Sequence, residues 1–215
     1  MQYDAPSGVA VTAGDDGEVR TWNVTKDAVV LTAESKEAHP DGARGLLYEA
    51  RSKMVFSAGD DGAIKCWKYS TAPREAVASV PDAHKGTIFS LQAADCGMGR
   101  DHVTLLSAGM DGGLCAWSFK DNEFIKMAEL EDAQEPILAL QLDISSSTVV
   151  GGGLDGSLRV WKLQRGSLRR TTLVEEAHNG WVRALCFHGS SKTVISAGDD
   201  GILRTWKLEK ENLKP

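Results

Sequence analysis

The chain has 215 residues, of which 42% are hydrophobic and 25% are charged, and this globular composition argues against a disordered protein. Its 24 Lys and Arg residues face 30 Asp and Glu residues. The net charge of −6 argues against nucleic acid as a partner, because phosphate contacts need clustered basic side chains. The sequence shows no apolar leader and no membrane-spanning stretch, and its four cysteines form no CxxC pair, so we predict an intracellular, cytoplasmic protein.

One phrase recurs five times along the chain, and each copy ends in a tryptophan. The tryptophans stand at positions 22, 67, 117, 161 and 206, which are 45, 50, 44 and 45 residues apart. Repeats of this length are typical of solenoids, propellers and linear arrays. The five copies are Thr12–Trp22, Ser57–Trp67, Ser107–Trp117, Gly151–Trp161 and Ser196–Trp206.

Each copy places short aliphatic and β-branched stretches on both sides of an Asp-Gly pair. That pair favours a tight hairpin, because glycine tolerates a positive φ. In the strand that follows the first pair, Val19 and Thr21 should face one way and Arg20 and Trp22 the other, as strand geometry demands. Long helical spacing is absent, so the repeats predict an all-β chain in which each unit is one propeller blade.

A second phrase, Ala-His or Ala-Gln, precedes four of the copies, with its second residue at positions 39, 84, 134 and 178. Together with the Ser-Ala-Gly-x-Asp-Gly turn and the closing tryptophan, this phrase resembles the WD40 repeat family over nearly the whole chain. The family's usual Gly-His is Ala-His here, and no Asp follows any closing tryptophan. The resemblance implies a single WD40-type β-propeller domain over residues 1–215, with five blades.

The two terminal repeats look incomplete. His39 precedes Ser57 by 18 residues, and a count of 18 back from Thr12 passes beyond Met1. The last segment, Leu208–Pro215, is short and charged, which makes it a poor outermost strand. We therefore predict three, four, four, four and three strands, with unpaired sheet edges at the ends of the arc. The chain is then a fragment or short isoform of a larger protein, associates with itself or another chain through these edges, or closes as an unusually small ring.

Three repeats combine the residue types of a hydrolase triad, in which a serine nucleophile needs a histidine base that a carboxylate orients. The set recurs at blade spacing and always with the closing tryptophan, whereas an enzyme needs one site. The resemblance implies instead a buried network that satisfies a buried carboxylate. We predict no catalytic residue, no cofactor and no metal ion. The sets are His39, Ser57, Asp61 and Trp67; His84, Ser107, Asp111 and Trp117; and His178, Ser196, Asp200 and Trp206.

The fourth repeat departs from this set. Gln134 replaces the histidine and Gly151 replaces the serine, while Asp155 and Trp161 remain. Because two bridging groups are lost, we predict that this blade is the least rigid of the complete ones.

The resemblance also implies a partner site, because WD40 rings usually meet their partners on the top face near the central channel. One position there is the residue before the turn aspartate, and the other follows the first apolar residue after the His or Gln. An apolar patch with a charged rim is typical of a protein-binding surface. The predicted residues are Phe89, Met110, Leu138 and Leu154 on the third and fourth blades, flanked by Asp60, Asp199 and Arg183 and accompanied by Trp181.

We expect a protein or peptide partner anchored there by an apolar side chain, with a basic residue beside it. In the alternative, Met110 and Leu154 are turn residues that their neighbours partly cover. Trp181 is likewise either an exposed interface anchor or a core residue beneath its loop.

The sequence thus favours a non-catalytic protein–protein interaction scaffold. One alternative is a phosphoinositide-binding and membrane-binding propeller, since residues 168–170 (Leu-Arg-Arg), near Lys162 and Arg165, are similar to a Phe/Leu-Arg-Arg-Gly motif of such propellers, with Thr171 in place of the glycine. A solvated basic edge on an outer strand explains the same cluster. In the other alternative the chain is a non-autonomous piece of a larger WD40 protein, whose function lies elsewhere.

Overall fold

The computed structural model describes residues 1–36, 38–68, 75–94, 103–130, 135–164 and 167–215. Within these ranges the regular structure consists of twenty strands, each antiparallel to its neighbours, which confirms the all-β prediction. The strands form five four-stranded sheets, called blades 1 to 5 in chain order.

The strands of each blade follow one another in space as they do in sequence. Blade 1 contains β1 (Gln2–Asp4), β2 (Val9–Ala13), β3 (Val19–Val24) and β4 (Val29–Ser35). Blade 2 contains β5 (Ala43–Glu49), β6 (Met54–Gly59), β7 (Ile64–Lys68) and β8 (Ala78–Val80). Blade 3 contains β9 (Ile88–Ala94), β10 (Val103–Gly109), β11 (Leu114–Lys120) and β12 (Glu123–Leu130). Blade 4 contains β13 (Ile137–Asp143), β14 (Thr148–Gly153), β15 (Leu158–Gln164) and β16 (Ser167–Val174). Blade 5 contains β17 (Val182–His188), β18 (Thr193–Gly198), β19 (Leu203–Glu209) and β20 (Asn212–Lys214).

The Asp-Gly pair builds the same turn in every blade, between the second and third strands. Its glycine has a φ between 70° and 80°, which suits a residue without a Cβ. The turn glycine of blade 1 also binds the segment that leads into blade 2, because the His39 amide donates to the Gly17 carbonyl at 3.0 Å. A Cβ on Gly17 would overlap the His39 carbonyl oxygen. The hairpin turns of blades 1, 2 and 4 therefore hold the loop that begins the following blade.

The predicted count of three strands in the first and last blades is wrong, because each has four. β1 corresponds to Leu47–Glu49, the end of β5, and lies directly before its hairpin. A count of 18 residues back from Thr12 leads to the place of a histidine, beyond Met1. In a complete repeat a loop and the first half of the first strand follow that histidine, so the second half of the strand is still present here as β1. β20 pairs with β19 across a two-residue turn in which Lys210 has a φ of 57°. Blade 1 has a short inner strand, β1, and blade 5 has a short outer strand, β20, but each of these blades has all four strands.

The blades stack face to face, and the face that carries the closing tryptophan packs on the preceding blade. Trp67 of blade 2 lies in one core with Val11 and Val19 of blade 1. Trp117 and Trp161 pack in the same way against blades 2 and 3, as does Trp206 against blade 4. All four indoles are buried, and the first strands of blades 2 to 5 pack side by side.

The five blades form an open arc and not a closed ring, so the small closed ring is excluded. Among the described residues, no blade packs on the Trp22 face of blade 1 or on the opposite face of blade 5. The predicted unpaired edges are therefore open sheet faces, because neighbouring blades join through their faces and not through strand pairing.

Candidate functional site

Each complete set of Asp, His, Ser and Trp forms one chain of hydrogen bonds. In blade 2, His39 Nδ1 lies 2.8 Å from Asp61 Oδ1, and His39 Nε2 lies 2.8 Å from Ser57 Oγ. The Trp67 indole N–H donates to the same Ser57 Oγ at 2.8 Å. Blades 3 and 5 repeat the chain with a shortest distance of 2.7 to 3.0 Å at each link. Their sets are His84, Ser107, Asp111 and Trp117, and His178, Ser196, Asp200 and Trp206.

The serines of these sets have the hydrogen bonds of a triad but no access to a substrate. Ser57, Ser107 and Ser196 are fully buried. Each hydroxyl already lies between an imidazole and an indole N–H. A catalytic nucleophile has to face a cleft that admits its substrate. Burial and threefold repetition therefore favour a structural role.

The turn carboxylates accept several hydrogen bonds at once. Asp200 accepts from the Asn179 amide at 3.1 Å, the Ile202 amide at 3.1 Å and the Arg204 guanidinium at 2.6 Å. Its bond with His178, at 3.0 Å, is the main cause that lowers the pKa of Asp200 well below its usual range. The carboxylate is thus held ionised, which keeps it an acceptor for the turn amides.

Blade 4 satisfies the same carboxylate without a histidine. Asp155 Oδ1 accepts from the Ser157 amide at 3.0 Å and its hydroxyl at 2.7 Å, and Oδ2 accepts from Arg159 at 2.6 Å. Arg159 is buried. Gln134 lies outside the described residues. Trp161 is buried as in the other blades, but its indole N–H has no hydrogen-bond partner among the described residues.

Sequence reasoning missed the role of Arg159. The available signal is the spacing Asp-Gly-x-x-Arg, which also occurs in blades 1 and 5. Arg20 donates to Asp16 at 2.8 Å, and Arg204 donates to Asp200 at 2.6 Å. An arginine on the third strand therefore reaches back to its own turn in three of the five blades.

One of the two kinds of predicted partner-binding position lies at a β-bulge near the start of the first strand in blades 2 to 5. In blade 3 the pairing of β9 with β10 shifts between Ala108 and Gly109, and Phe89 is the residue left over. A bulge re-aims the side chain of its extra residue. We call the end of the arc that carries these bulges the top face. The extra residues in blades 2, 4 and 5 are Arg44, Leu138 and Arg183.

The residue before each turn aspartate is tied to the segment that leads into the bulge. The Met110 amide donates to the Thr87 carbonyl, two residues before the bulge, at 2.8 Å. The corresponding amides of Asp60, Leu154 and Asp199 make the same bond at 3.0 Å. Bulge and turn thus form one unit, which brings both predicted positions together in blades 2 to 5.

In blades 2 and 5 these two positions hold an ion pair. Arg44 donates to Asp60 at 2.8 Å and also contacts Asp15 of blade 1. Arg183 donates to Asp199 at 2.7 Å. The hydrogen bond from Arg44 is the main cause that lowers the pKa of Asp60, and the bond to Asp199 raises the pKa of Arg183. The rim beside these bulges therefore carries both signs of charge.

In blades 3 and 4 the same two positions hold only apolar side chains. Met110 is 47% exposed, and its three companions are half-buried. The first strands of the two blades pack side by side. Met110 is therefore more exposed than Leu154. We call this set the apolar patch: Phe89, Met110, Leu138 and Leu154.

Trp181 lies on the top face and not in the core. It stands two residues before the blade 5 bulge and is 39% exposed. The Arg183 guanidinium carbon lies 4.1 Å from its ring centroid, close enough for a cation–π interaction. Arginine and indole therefore support each other at the charged end of this surface.

The basic cluster of blade 4 is divided in the structure. Arg169 and Arg170 are consecutive strand residues, so their side chains leave opposite faces of the sheet. Arg169 donates to Glu211 of blade 5 at 3.1 Å, and Lys162 donates to a backbone carbonyl. Arg165 lies outside the described residues. Lys162 and Arg169 stand directly opposite each other on one face, whereas Arg170 leaves the other face.

Other chemistry is sparse in the described part of the chain. No group of three or more His, Cys, Asp and Glu side chains is placed there to hold a metal ion, and no helix has the length and apolarity to cross a membrane. Cys66 and Cys115 are free and buried, and burial raises the pKa of each thiol to about 12. Cys186 is free and exposed.

The amino-acid sequence is similar to those of known repeat proteins. The family model "WD domain, G-beta repeat" matches residues 126–162 and 169–207. Transducin beta-like protein 3 of Rattus norvegicus is 30% identical over 185 residues, which are 77% of this chain and 21% of that protein. Apoptotic protease-activating factor 1 of Homo sapiens is 27% identical over 192 residues, which are 87% of this chain and 14% of that protein. The chain thus spans about a fifth or less of these relatives' lengths.

A solved structure shows the same architecture. The crystal structure of the computationally designed Ika8 protein superposes with a TM-score of 0.73 at 24% sequence identity, over 96% of this chain and 57% of that one. At this identity the likeness concerns the fold alone. Five tryptophan-closed repeats, five stacked four-stranded blades and the two matched repeats agree with one another. The chain therefore carries WD40 repeats, and its five blades have the architecture of a WD40-type β-propeller.

Proposed function

We propose that the protein is a non-catalytic interaction scaffold that binds a protein or peptide on its top face, over the apolar patch. WD40-repeat proteins are generally protein-interaction scaffolds. The observation that carries the proposal is the change of content at one repeated position. Bulge and turn hold an ion pair in blades 2 and 5, but apolar side chains in blades 3 and 4.

The chemistry of the patch favours an apolar anchor in the partner. Exposed Met110 lies beside the half-buried Phe89, and methionine adapts its shape to different apolar surfaces. A patch of this kind, enclosed by a polar rim, is the usual anatomy of a protein-binding surface. Trp181 at the blade 5 end adds an aromatic residue of the type enriched in interface hot spots.

The rim changes our expectation about a basic residue in the partner. Asp60 and Asp199 already accept hydrogen bonds from Arg44 and Arg183. A partner's basic group would have to compete with these arginines. We therefore propose that the apolar anchor supplies affinity, and that the rim selects partners with polar groups of both signs around it.

The alternatives have less support. Lipid headgroup binding needs converging basic side chains, whereas Arg169 and Arg170 leave opposite faces of their strand. Catalysis would need an accessible nucleophile, and the serines of the three sets are buried. The free thiols of Cys66, Cys115 and Cys186 suit the intracellular, cytoplasmic location that we propose.

Selection of peptides tests the proposal directly. A displayed random peptide library is panned on the immobilised chain, and the dissociation constants of selected peptides are measured against variants. We expect sequences with an apolar anchor, and we expect Phe89→Ala with Met110→Asp to weaken their binding by at least about tenfold while the protein stays folded.

The control variant is Ile144→Asp, which places the same charge on an exposed apolar residue at the opposite end of blade 4. It should leave peptide binding unchanged. Equal binding by the double variant and the unaltered chain would reject the apolar patch as the site.

A further inference from the structure

The open face of blade 1 is apolar. Side chains that stand directly opposite one another in paired strands share a face. Trp22 is opposite Ala10 and Leu31, and Ala10 is opposite Tyr3, so all four lie on the face that has no preceding blade. Tyr3 is 53% exposed and Leu31 is 45% exposed. Val29 lies on the same face near the end of the outer strand, at 64% exposure.

This open face corresponds, position by position, to a face that is covered in blade 2. The corresponding face of blade 2 packs against blade 1, with Val55 and Trp67 buried in that core and Tyr48 and Ala76 partly buried against it. The corresponding residues, 45 positions apart, are Tyr3 and Tyr48, Ala10 and Val55, Trp22 and Trp67, and Leu31 and Ala76. Blade 1 therefore carries the side chains with which a blade of this chain packs on its predecessor.

The open face of blade 5 is the complement. Leu203 is 72% exposed, and it shares this face with Ala197 and Ala184. Ile195 and the exposed Cys186 lie on the same face one pair further along. The residues at the Leu203 position of the other four blades are all buried: Val19, Ile64, Leu114 and Leu158.

Blade 4 shows what covers it. Leu158 stands at the position that Leu203 holds in blade 5, and it is fully buried in one core with Trp206 of the following blade. Val19 of blade 1 is buried in the same way beside Trp67. Leu203 is thus an apolar residue whose counterparts meet the tryptophan face of the next blade.

We propose that two copies of this chain associate head to tail, with the Trp22 face of one copy on the Leu203 face of the other. The contact would reproduce the four blade–blade interfaces already present within one chain. Burial of exposed Tyr3, Val29, Leu31 and Leu203 drives it, since removing apolar surface from water is favourable.

The charged residues on the Trp22 face do not prevent this contact. Arg20 pairs with Glu34 at 2.7 Å and with Asp16 at 2.8 Å on that face, and it also contacts Glu18. In blade 5 the equivalent pair, Arg204 with Asp200, is accommodated at the interface with blade 4, with the carboxylate largely covered. A paired arginine at this position is therefore compatible with blade stacking.

The symmetry of the contact makes a sharp prediction. Because two different faces meet, each pair of copies leaves one face of each kind free, and assembly continues unless the arc closes into a ring. Two variants that each block one face separate this mode from any symmetric dimer. Leu203→Glu blocks the blade 5 face, and Leu31→Glu blocks the blade 1 face.

The experiment measures mass by sedimentation equilibrium and light scattering of the 215-residue chain over a range of concentrations. We expect the unaltered chain to exceed its monomer mass, each variant alone to remain a monomer, and their equimolar mixture to form a species of twice the monomer mass and nothing larger. Ile125→Glu, an exposed outer-strand position of blade 3, is the matched control and should assemble like the unaltered chain.

Alkylation of Cys186, followed by peptide mass mapping with one of the two variants isotopically labelled so that their peptides differ in mass, gives an independent measurement. In the mixture, Cys186 of the Leu31→Glu chain should be protected, because its blade 5 face is occupied, while Cys186 of the Leu203→Glu chain should react as in the monomer. Thermal unfolding checks that each variant is folded. A monomeric unaltered chain at high concentration overturns the proposal, as does assembly of either folded variant by itself.

Discussion

Blades 2 and 4 are two four-stranded sheets of the same architecture, but their internal side-chain hydrogen bonds differ. In blade 2, a chain of polar contacts runs from Asp61 through His39 and Ser57 to the Trp67 indole. In blade 4 the serine position is Gly151, and the described residues offer the tryptophan no acceptor. Yet the two sheets have the same strand order, the same turn and a buried closing tryptophan.

The difference teaches which features a blade requires. In blade 4 the indole of Trp161 occupies the room of the missing serine, since a Cβ on Gly151 would lie 2.6 Å from the ring. Asp155 takes its hydrogen bonds from Ser157 and Arg159 instead of a histidine. Both blades have a turn carboxylate that accepts hydrogen bonds and a closing tryptophan whose indole is buried. The serine and histidine of blade 2 are therefore one of two side-chain arrangements that accompany these features.

The largest effect should come from adding a methyl group at the end of the second strand. In blade 2, a Cβ on Gly59 would overlap the Gly42 carbonyl oxygen and lie 2.6 Å from His39 Cβ, so backbone would have to move. In blade 4, a Cβ on Gly153 would meet side-chain ends instead of backbone, Asp155 Oδ1 and Arg159 Nη1, and these can shift at a lower cost. We expect Gly59→Ala to lower the free energy of unfolding by about 3 kcal/mol and Gly153→Ala by about 1 kcal/mol. Urea denaturation measures both, and equal losses would contradict the difference between the blades.

Restoring the serine of the repeat should destabilise blade 4. Gly151→Ser places a side chain where the Trp161 ring already lies, and the packed indole cannot move freely. We expect a loss of about 2 kcal/mol in the free energy of unfolding, although the new hydroxyl brings an acceptor for the indole. Ser57→Gly is the reverse change in blade 2 and should also destabilise, because it removes the acceptor that Trp67 uses. A gain in stability for Gly151→Ser would show that the indole has room to retreat.

The sequence predicted the features that depend on local chemistry. The Asp-Gly pairs located all five hairpin turns, because a positive φ at that step nearly requires glycine. The polar set of blade 2, with His39 and Ser57, followed from spacing and family resemblance, and so did the position of Phe89, which proved to be a bulge residue.

The features that the sequence did not predict depend on a neighbouring element. β1 and β20 are three residues long and carry no periodic pattern, so only the adjacent strand defines them. The open faces at the ends of the arc were missed because strand propensity does not tell which blade covers a residue such as Leu203. Arg159 was missed because the sequence alone does not show that its side chain reaches back to the carboxylate of its own turn.

The hydrogen bond of the closing tryptophan can be measured by a matched pair of substitutions. Trp117→Phe in blade 3 removes an indole N–H that donates to Ser107 at 2.8 Å, whereas Trp161→Phe in blade 4 removes one without a described partner. Both lose similar apolar volume, so the first should cost about 1 kcal/mol more than the second. Equal losses would mean that the Trp117 bond makes no net contribution to stability.

Amide hydrogen exchange of the unaltered chain tests the predicted difference in rigidity, since we expect the amides of blade 4 to exchange faster than those of blade 3.

The smallest effect concerns pH, and it too should distinguish blade 2 from blade 4. Burial is the main cause that lowers the pKa of the His39 imidazole below its usual range, although the bond with Asp61 opposes it. The unfolded chain then binds a proton at a higher pH than the folded chain. The stability contributed by neutral His39 is present above the unfolded pKa of about 6.5 and is lost as the pH falls towards the lower folded value.

We expect the unfolding free energy of the unaltered chain to decline from about pH 7 to about pH 5. The variant His39→Gln should be less stable at neutral pH, but its unfolding free energy should decline less steeply over this range. Identical slopes would mean that the buried imidazole of blade 2 titrates as it does in the unfolded chain, and that this acid sensitivity does not separate it from blade 4.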